Sequence, residues 1–182
     1  MSLEGDKTGN SLGIPKAIFL EDVEKFMKDG SKTAEEVLRK LEELFQKYRV
    51  MEVSLLQKKE KLKIQIPDIK QSLDMIQLLK RNKANEKTIE TDFILSHNLY
   101  ARAEVPPTEK VGLWLGANVM LEYSLEQADE LLSKNLKQAN QSMEQTDNDL
   151  DFLKDQITTT EVNMARVYNW DVKRRQSLKP SV

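Results

Sequence analysis

The sequence contains no cysteine and only one histidine, His97. Disulfides and thiolate metal sites are thereby excluded. A lone imidazole with no carboxylate pair at ligand spacing reads as a turn residue rather than a catalyst or metal ligand. No glycine-rich phosphate loop is present, because Gly112 and Gly116 fall in strand-like stretches and not ahead of a helix. No stretch approaches about 18 uninterrupted apolar residues, and Met1 to Asn10 has no apolar h-region, so a soluble, cytosolic protein is expected. Aromatic residues make up 6% of the chain, with six glycines and five prolines, whereas 32% of residues are charged. Such a composition suits long solvated helices better than a large central core. The net charge of −2 supplies no pull toward nucleic acid or an anionic membrane.

What is present is periodicity. The 182 residues fit one domain by length. Residues 1–13 are polar and expected to be a disordered tail. Residues 14–29 form a short apolar segment in which Pro15 suits the first turn of a helix and Phe19, Val23, Phe26 and Met27 fall at helical spacing, before Gly30 and Ser31 break it. A helix over 33–85 is predicted from the Thr33/Glu36 capping box and an unbroken seven-residue column, Leu41, Tyr48, Leu55, Leu62, Ile69 and Ile76. Its companion column runs Val37, Leu44 and Met51, then shifts by one position to Ile66 and Leu73. Pro67 inside this pattern predicts a kink.

Period two takes over across residues 90–123. Leu99, Ala101, Ala103 and Val105 alternate with polar or aromatic neighbours; so do Val111, Leu113 and Leu115, and then Val119, Leu121 and Tyr123. With Thr91 to Leu95 as a first strand, and turns at 96–98, 106–108 and 116–118, this predicts two β-hairpins. A last helix over 124–176 opens on the Ser124/Gln127 capping box and carries a seam from Leu132 to Val167, with residues 177–182 as a tail. Each long helix would span about 70 Å. Residues 34–83 hold 12 basic against 8 acidic side chains, and residues 125–171 hold 4 against 10. Opposite charges flanking an apolar seam favour pairing of these helices with each other, which sets specificity more than stability.

The fold class expected is therefore α+β, a long antiparallel coiled-coil hairpin joined by two β-hairpins. Four short strands cannot close a sheet, so their edges invite strands from other chains, and a shared intersubunit β-barrel is the economical solution. A monomer with its helices folded back over the sheet fits heptads of this length less well. The strand residues named above, Leu99 to Tyr123, are the candidate assembly surface.

Other features have bland readings. Asp147, Asp149, Asp151 and Asp155 lack the glycine turn of a calcium loop and read as a solvated helix face. Lys173, Arg174 and Arg175 suit a helix C-terminus. The apolar residues near the chain ends compete on more even terms. Phe19, Val23, Phe26, Met27, Val162, Val167, Tyr168, Trp170 and Val172 are more than two seam columns can bury. They read either as a binding tip for unfolded polypeptide or as an internal cap in which residues 14–29 fold back.

The run 92–128, DFILSHNLYARAEVPPTEKVGLWLGANVMLEYSLEQA, resembles the two-hairpin segment of α-class prefoldin subunits. Asn98-Leu99-Tyr100, Lys110-Val111, Gly116 and Tyr123 stand at that family's pattern positions. The runs 12–27, LGIPKAIFLEDVEKFM, and 158–175, TTTEVNMARVYNWDVKRR, narrow the resemblance within the class, and it covers nearly all the chain beyond residue 11. The resemblance implies a non-enzymatic co-chaperone in a heterohexamer with one further α-class and four β-class subunits. It implies that unfolded actin and tubulin are bound and passed to the cytosolic chaperonin, with no nucleotide, metal or other cofactor. Neither nucleic acid nor membrane is an expected partner, and the expected compartment is the cytoplasm, with the nucleus as a second. A scaffold recruiting other complexes is the rival role.

Overall fold

The computed structural model describes residues 4–5, 13–29 and 33–177. The Gly30-Ser31 break and most of both expected tails lie outside the described residues. Two short strands, β1 (Glu4–Gly5) and β2 (Lys16–Ala17), pair antiparallel and precede the seven-residue helix α1 (Val23–Asp29). The long helix α2 (Ala34–Ala84), strands β3 (Ile89–Ser96), β4 (Leu99–Val105), β5 (Lys110–Gly116) and β6 (Val119–Ser124), and the long helix α3 (Leu125–Ser177) complete the chain. These elements form two compact units, one of residues 62–142 and one of the residues on either side of that span.

Both long helices begin as their sequences dictate. The Thr33 Oγ1 accepts from the Glu36 N–H at 3.3 Å while the Thr33 N–H donates to the Glu36 carboxylate at 3.2 Å. Ser124 and Gln127 repeat this reciprocal arrangement at 3.2 Å each way. Helix α2 stops without glycine. Glu86 adopts φ +48, and the N–H groups of Glu86 and Lys87 reach back to the carbonyls of Lys83 and Asn82, a Schellman motif with glutamate in the left-handed position. Pro67, expected to kink α2, lies within a helix that runs unbroken from Ala34 to Ala84, its ring on an exposed face.

In the unit containing both ends of the described chain, Leu44, Tyr48 and Leu55 of α2 meet Leu150, Leu153 and Ile157 of α3. Val37 and Leu41 meet Val167 in a second cluster. Every seam position from Leu132 to Val167 on α3 is at least half-buried. The ion pairs Lys59–Asp147 at 2.7 Å and Arg49–Glu161 at 3.5 Å fix the helices of this unit as antiparallel.

Residues 14–22 depart from the expected helix. Asp22 is the true N-cap of α1, accepting from the Lys25 N–H at 2.9 Å, and the residues before it run extended over the coil. Their main-chain groups bond to side chains of α2 and α3, which removes them from any helical ladder. Ile14, Ala17, Leu20 and Val23, every third residue, are buried. Asp149, expected on a solvated face, is also buried, at 5% exposure.

In the unit of residues 62–142 the strands make two separate antiparallel hairpins, β3–β4 and β5–β6. Each turns through two residues. In β5–β6 these are Ala117 and Asn118, at φ +48 and +63, the signature of a type I′ turn. Such a turn matches the right-handed twist of the flanking strands, at the cost of holding an alanine in the left-handed region.

Candidate functional site

Two surfaces stand out, one on the strands and one at the coil end. Cross-strand pairs share a face, so Val111–Tyr123 and Leu113–Leu121 point one way while Gly112–Glu122 and Trp114–Met120 point the other. Val111, Leu113 and Tyr123 pack half-buried against Ile76, Leu125 and Ala128, whereas Leu121, their neighbour on that face, is 48% exposed. Trp114 and Met120 on the opposite face are about 60% exposed. Gly112 makes room there for Met120, whose Sδ would lie 3.0 Å from a Cβ at that position. Leu115 and Val119 are exposed as well. In β3–β4, Ala101, Ala103 and Val105 are half-buried, and Leu99 is exposed.

The alternation pattern selected only one side chain in two, so it passed over the other side. Ile94 and Tyr100 in β3–β4, like Trp114 and Met120 in β5–β6, lie on that other side, large, apolar and exposed, whereas the exposed Phe93 pairs with Ala101 and shares its face. Their signal was present in the sequence. Near the turn of each hairpin both sides are apolar, which fits cover on both faces there, whereas farther from the turn the second side carries Asp92, Arg102, Glu104 and Glu122. Two-stranded hairpins exposing this much apolar surface are marginal alone, and their unpaired edges remain available to further strands. Among the described residues no third strand joins either hairpin.

Electrostatics tether the start of α3 below these hairpins. Lys80 Nζ donates to Asp129 at 2.5 Å, and this hydrogen bond holds the Asp129 carboxyl below its ordinary value. The Glu126 carboxyl is lowered chiefly by its own backbone N–H, in the first turn where the helix dipole favours an anion. The Leu125 N–H donates to the Glu109 carbonyl at 3.2 Å, tying the β4–β5 connection to the helix.

The second surface is built by the N-terminal segment on the coil. Of the nine candidate tip residues, Val23, Met27 and Val167 are buried, and Phe26, Trp170 and Val172 are half-buried. Phe26 and Trp170 pack on the cluster of Leu20, Val37 and Leu41. The structure therefore covers six of the nine at least in part, five of them in this one cluster. Phe19, Val162 and Tyr168 remain outside, at 47, 40 and 56% exposure, and Ile18 joins them at 41%. Arg166 lies over the Phe19 ring at 5.2 Å, and Arg174 over Trp170 at the same distance. Asp171, almost fully buried, is paired by both Arg174 and Arg175. Those cations thus serve the last turns of α3 directly.

Polar side chains hold the segment in place. The Ala17 N–H donates to Gln156 Oε1 and the Leu20 N–H to Asn163 Oδ1, both at 2.9 Å. Asn163 Nδ2 donates to the Ile18 carbonyl and Tyr48 Oη to the Pro15 carbonyl, both at 2.8 Å. Arg166 donates to the Glu21 carbonyl at 2.7 Å. Gln156 and Asn163 sit one heptad apart beside the seam, and with Asp149 and Trp170 they make a third column that the two-column reading of α3 omitted.

Among the described residues no cluster of three or more metal-ligating side chains occurs, and no helix is long and apolar enough to cross a membrane. The prefoldin subunit family model matches residues 48–170. Prefoldin subunit 3 from Homo sapiens is 57% identical over 173 residues, covering 92% of this chain and 88% of its own. The Drosophila melanogaster protein of the same name is 48% identical, over 91% of this chain and 84% of its own. Prefoldin subunit 3 from Saccharomyces cerevisiae is 44% identical over 180 residues, covering 93% of this chain and 89% of its own.

Proposed function

This chain belongs to the prefoldin subunit 3 family, and we propose that it is one of two α-class subunits in a heterohexamer with four β-class subunits that holds unfolded actin and tubulin. It is a co-chaperone subunit and not an enzyme, and its partners are other prefoldin subunits. The complex acts without ATP and passes its clients to the cytosolic chaperonin. Its compartment is the cytoplasm, with the nucleus as a second. The hairpins contribute to an intersubunit barrel through Leu99, Val111, Leu113, Leu121 and their strand neighbours, and the coil end contacts client through its exposed apolar residues.

The observation that carries this reading is the apolar strand surface left open on two unpaired hairpins. Several weak apolar contacts on linked subunits combine into useful avidity, and such contacts need no fixed catalytic geometry.

The test compares assembled complexes carrying the native chain or Phe19→Ser with Tyr168→Ser. Both positions are exposed, so assembly and melting should be nearly unchanged, while protection of unfolded actin by light scattering falls in part. Undiminished protection at matched complex concentration would remove the coil end as a client contact and favour the scaffold role. Truncation before residue 28 and after residue 161 is a coarser probe, because it also uncovers Val37 and Leu41.

A further inference from the structure

We propose that the groove occupied by residues 14–21 is a binding site for extended polypeptide, and that this N-terminal strap is a built-in competitor of the non-native chain. The inference rests on the holding function proposed above and assigns one place where holding occurs.

The groove recognises main chain. Five hydrogen bonds to the strap, from Tyr48, Gln156, Asn163 and Arg166, end on backbone N–H or carbonyl groups of residues 15–21. None of the five reads a strap side chain. Asn163 both accepts from Leu20 and donates to Ile18, as a backbone unit would in a sheet. An amide side chain does this for any sequence that lies extended across it. The Gln156 amide is held in orientation by donating to the Phe152 carbonyl at 3.1 Å. Gln156 and Asn163 are 5 and 1% exposed with the strap seated. Buried amides must be paired, and when the strap leaves they are paired by water or by another backbone.

Specificity for side chains is correspondingly loose. The strap presents Ile14, Ala17 and Leu20 to the groove, three residues of quite different size at a spacing of three. Ile18 and Phe19 turn outward, where the Phe19 ring lies under the Arg166 guanidinium. An unfolded protein offers many stretches with apolar residues at that spacing and free main-chain groups between them. A folded protein offers almost none, since its backbone groups are already paired. The occupant is therefore an extended stretch of non-native protein with small or branched apolar residues at every third position.

A seated strap lowers the apparent affinity for such a chain by the fraction of time the groove is open. The complex is tested with an Ala17→Cys, Leu153→Cys chain, both positions lying in one apolar cluster of a protein without native cysteine. Oxidation closes the strap onto α3 and reductant reopens it, so the same folded protein serves as its own control. The probes are reduced carboxymethylated α-lactalbumin, which is permanently unfolded, and a fluorescent peptide of residues 13–21. Closure should weaken α-lactalbumin binding, and deleting the strap should strengthen peptide binding by about tenfold if the open fraction is near a tenth. α-Lactalbumin should also displace the peptide.

Equal α-lactalbumin binding in the closed and open forms overturns the inference and leaves holding to other surfaces. Peptide binding that α-lactalbumin does not compete with also overturns it, because the groove then belongs to the strap of this chain or a second copy. Displacement of the peptide without any protection from aggregation upholds the groove and defeats the holding function. Asn163→Ala removes two backbone contacts and should weaken peptide binding in the strap-deleted complex.

Discussion

The unit that carries the strap and the unit that carries the hairpins solve opposite problems with the same kind of residue. Around the strap, apolar side chains are covered from within the chain. Ile14, Leu20, Val23 and Met27 are each below a tenth exposed, and the polar groups beside them are paired. Each such side chain contributes about 1.5–3 kcal/mol when buried. On the hairpins, Phe93, Ile94, Tyr100, Trp114 and Met120 all stay more than half exposed, although the strands beneath them are regular. A chain that covers one apolar surface with its own strap and leaves another bare is built for partners at the bare one. The strap-bearing unit has what it needs in one chain, whereas the hairpins do not.

The most damaging way to break that contrast is a charge in the one part of the hairpins that the chain itself covers. Leu113→Asp puts a carboxylate against Ile76, Leu125 and Ala128, at a cost of several kcal/mol if no partner is supplied. Both melting of the chain and assembly with other subunits should suffer. Trp114→Asp lies on the opposite, exposed face, so helicity should hold while native mass spectrometry records lost assembly. Intact complexes with Trp114→Asp would mean that this face is free in the assembly and that the Leu121 face alone joins the barrel.

On the strap side the corresponding test is Tyr48. Its ring is fully buried in the seam and its hydroxyl donates to Pro15. Tyr48→Ala should cost about 3–5 kcal/mol through the cavity it leaves. Tyr48→Phe should cost only about 1 kcal/mol, the value of one hydrogen bond. Thermal melts of the two variants, read with amide exchange at Ala17 and Leu20, separate packing from strap retention. Assembly should survive Tyr48→Phe, because nothing on the hairpins changes.

The same contrast explains what could be read from the sequence. The capping boxes at Thr33 and Ser124, the heptad columns and the turns at 97–98 and 117–118 rest on neighbours a few residues apart, so local pattern suffices to find them. The strap does not. Its path is set by Gln156, Asn163 and Arg166, some 140 residues along the chain. The apolar spacing of residues 19–27 suggested a helix from Pro15, but Asp22 starts the helix seven residues later. Burial of six of the nine candidate tip residues follows from that same long-range docking. The exposed faces of Tyr100 and Trp114 were missed for a different reason. Period-two patterning tells which residues share a face, but it does not tell which face a partner will take.

A smaller effect is expected from relieving strain in the hairpins. Ala117 holds φ +48 next to Asn118 at +63, in a turn that ordinarily takes asparagine and glycine. Ala117→Gly should stabilise the folded unit by up to about 1 kcal/mol, since the left-handed penalty for a side chain outweighs the extra freedom glycine has when unfolded. The gain should show in amide exchange of β5 and β6 and not in that of the strap.

The smallest effect separates the two units by pH. Asp129 and Glu126 have folded carboxyl values below their ordinary 3.8 and 4.5, so their contribution is present above those values and is lost as pH falls through the lowered folded ones. Lys59 and Lys28 are raised above their ordinary 10.5 by hydrogen bonds to Asp147 and Glu24. Their contribution is complete below 10.5 and is lost as pH rises through the raised folded values. The acid-sensitive pair belongs to the hairpin-bearing unit and the alkali-sensitive pair to the strap-bearing one. The chain's two tryptophans divide in the same way, so Trp170→Phe leaves Trp114 to report on one unit and Trp114→Phe leaves Trp170 to report on the other. Fluorescence of Trp114 should respond first on acidification, and Trp170 first on making the solution alkaline. Asp129→Asn with Lys80→Met should flatten the acid response without touching the alkaline one. Both responses should shrink with added salt, because these pairs are at least partly exposed and screened over about 10 Å at 0.1 M. A Trp170 signal that moves with Trp114 in acid would mean that the two units open together and that the contrast between them is one of surface and not of stability.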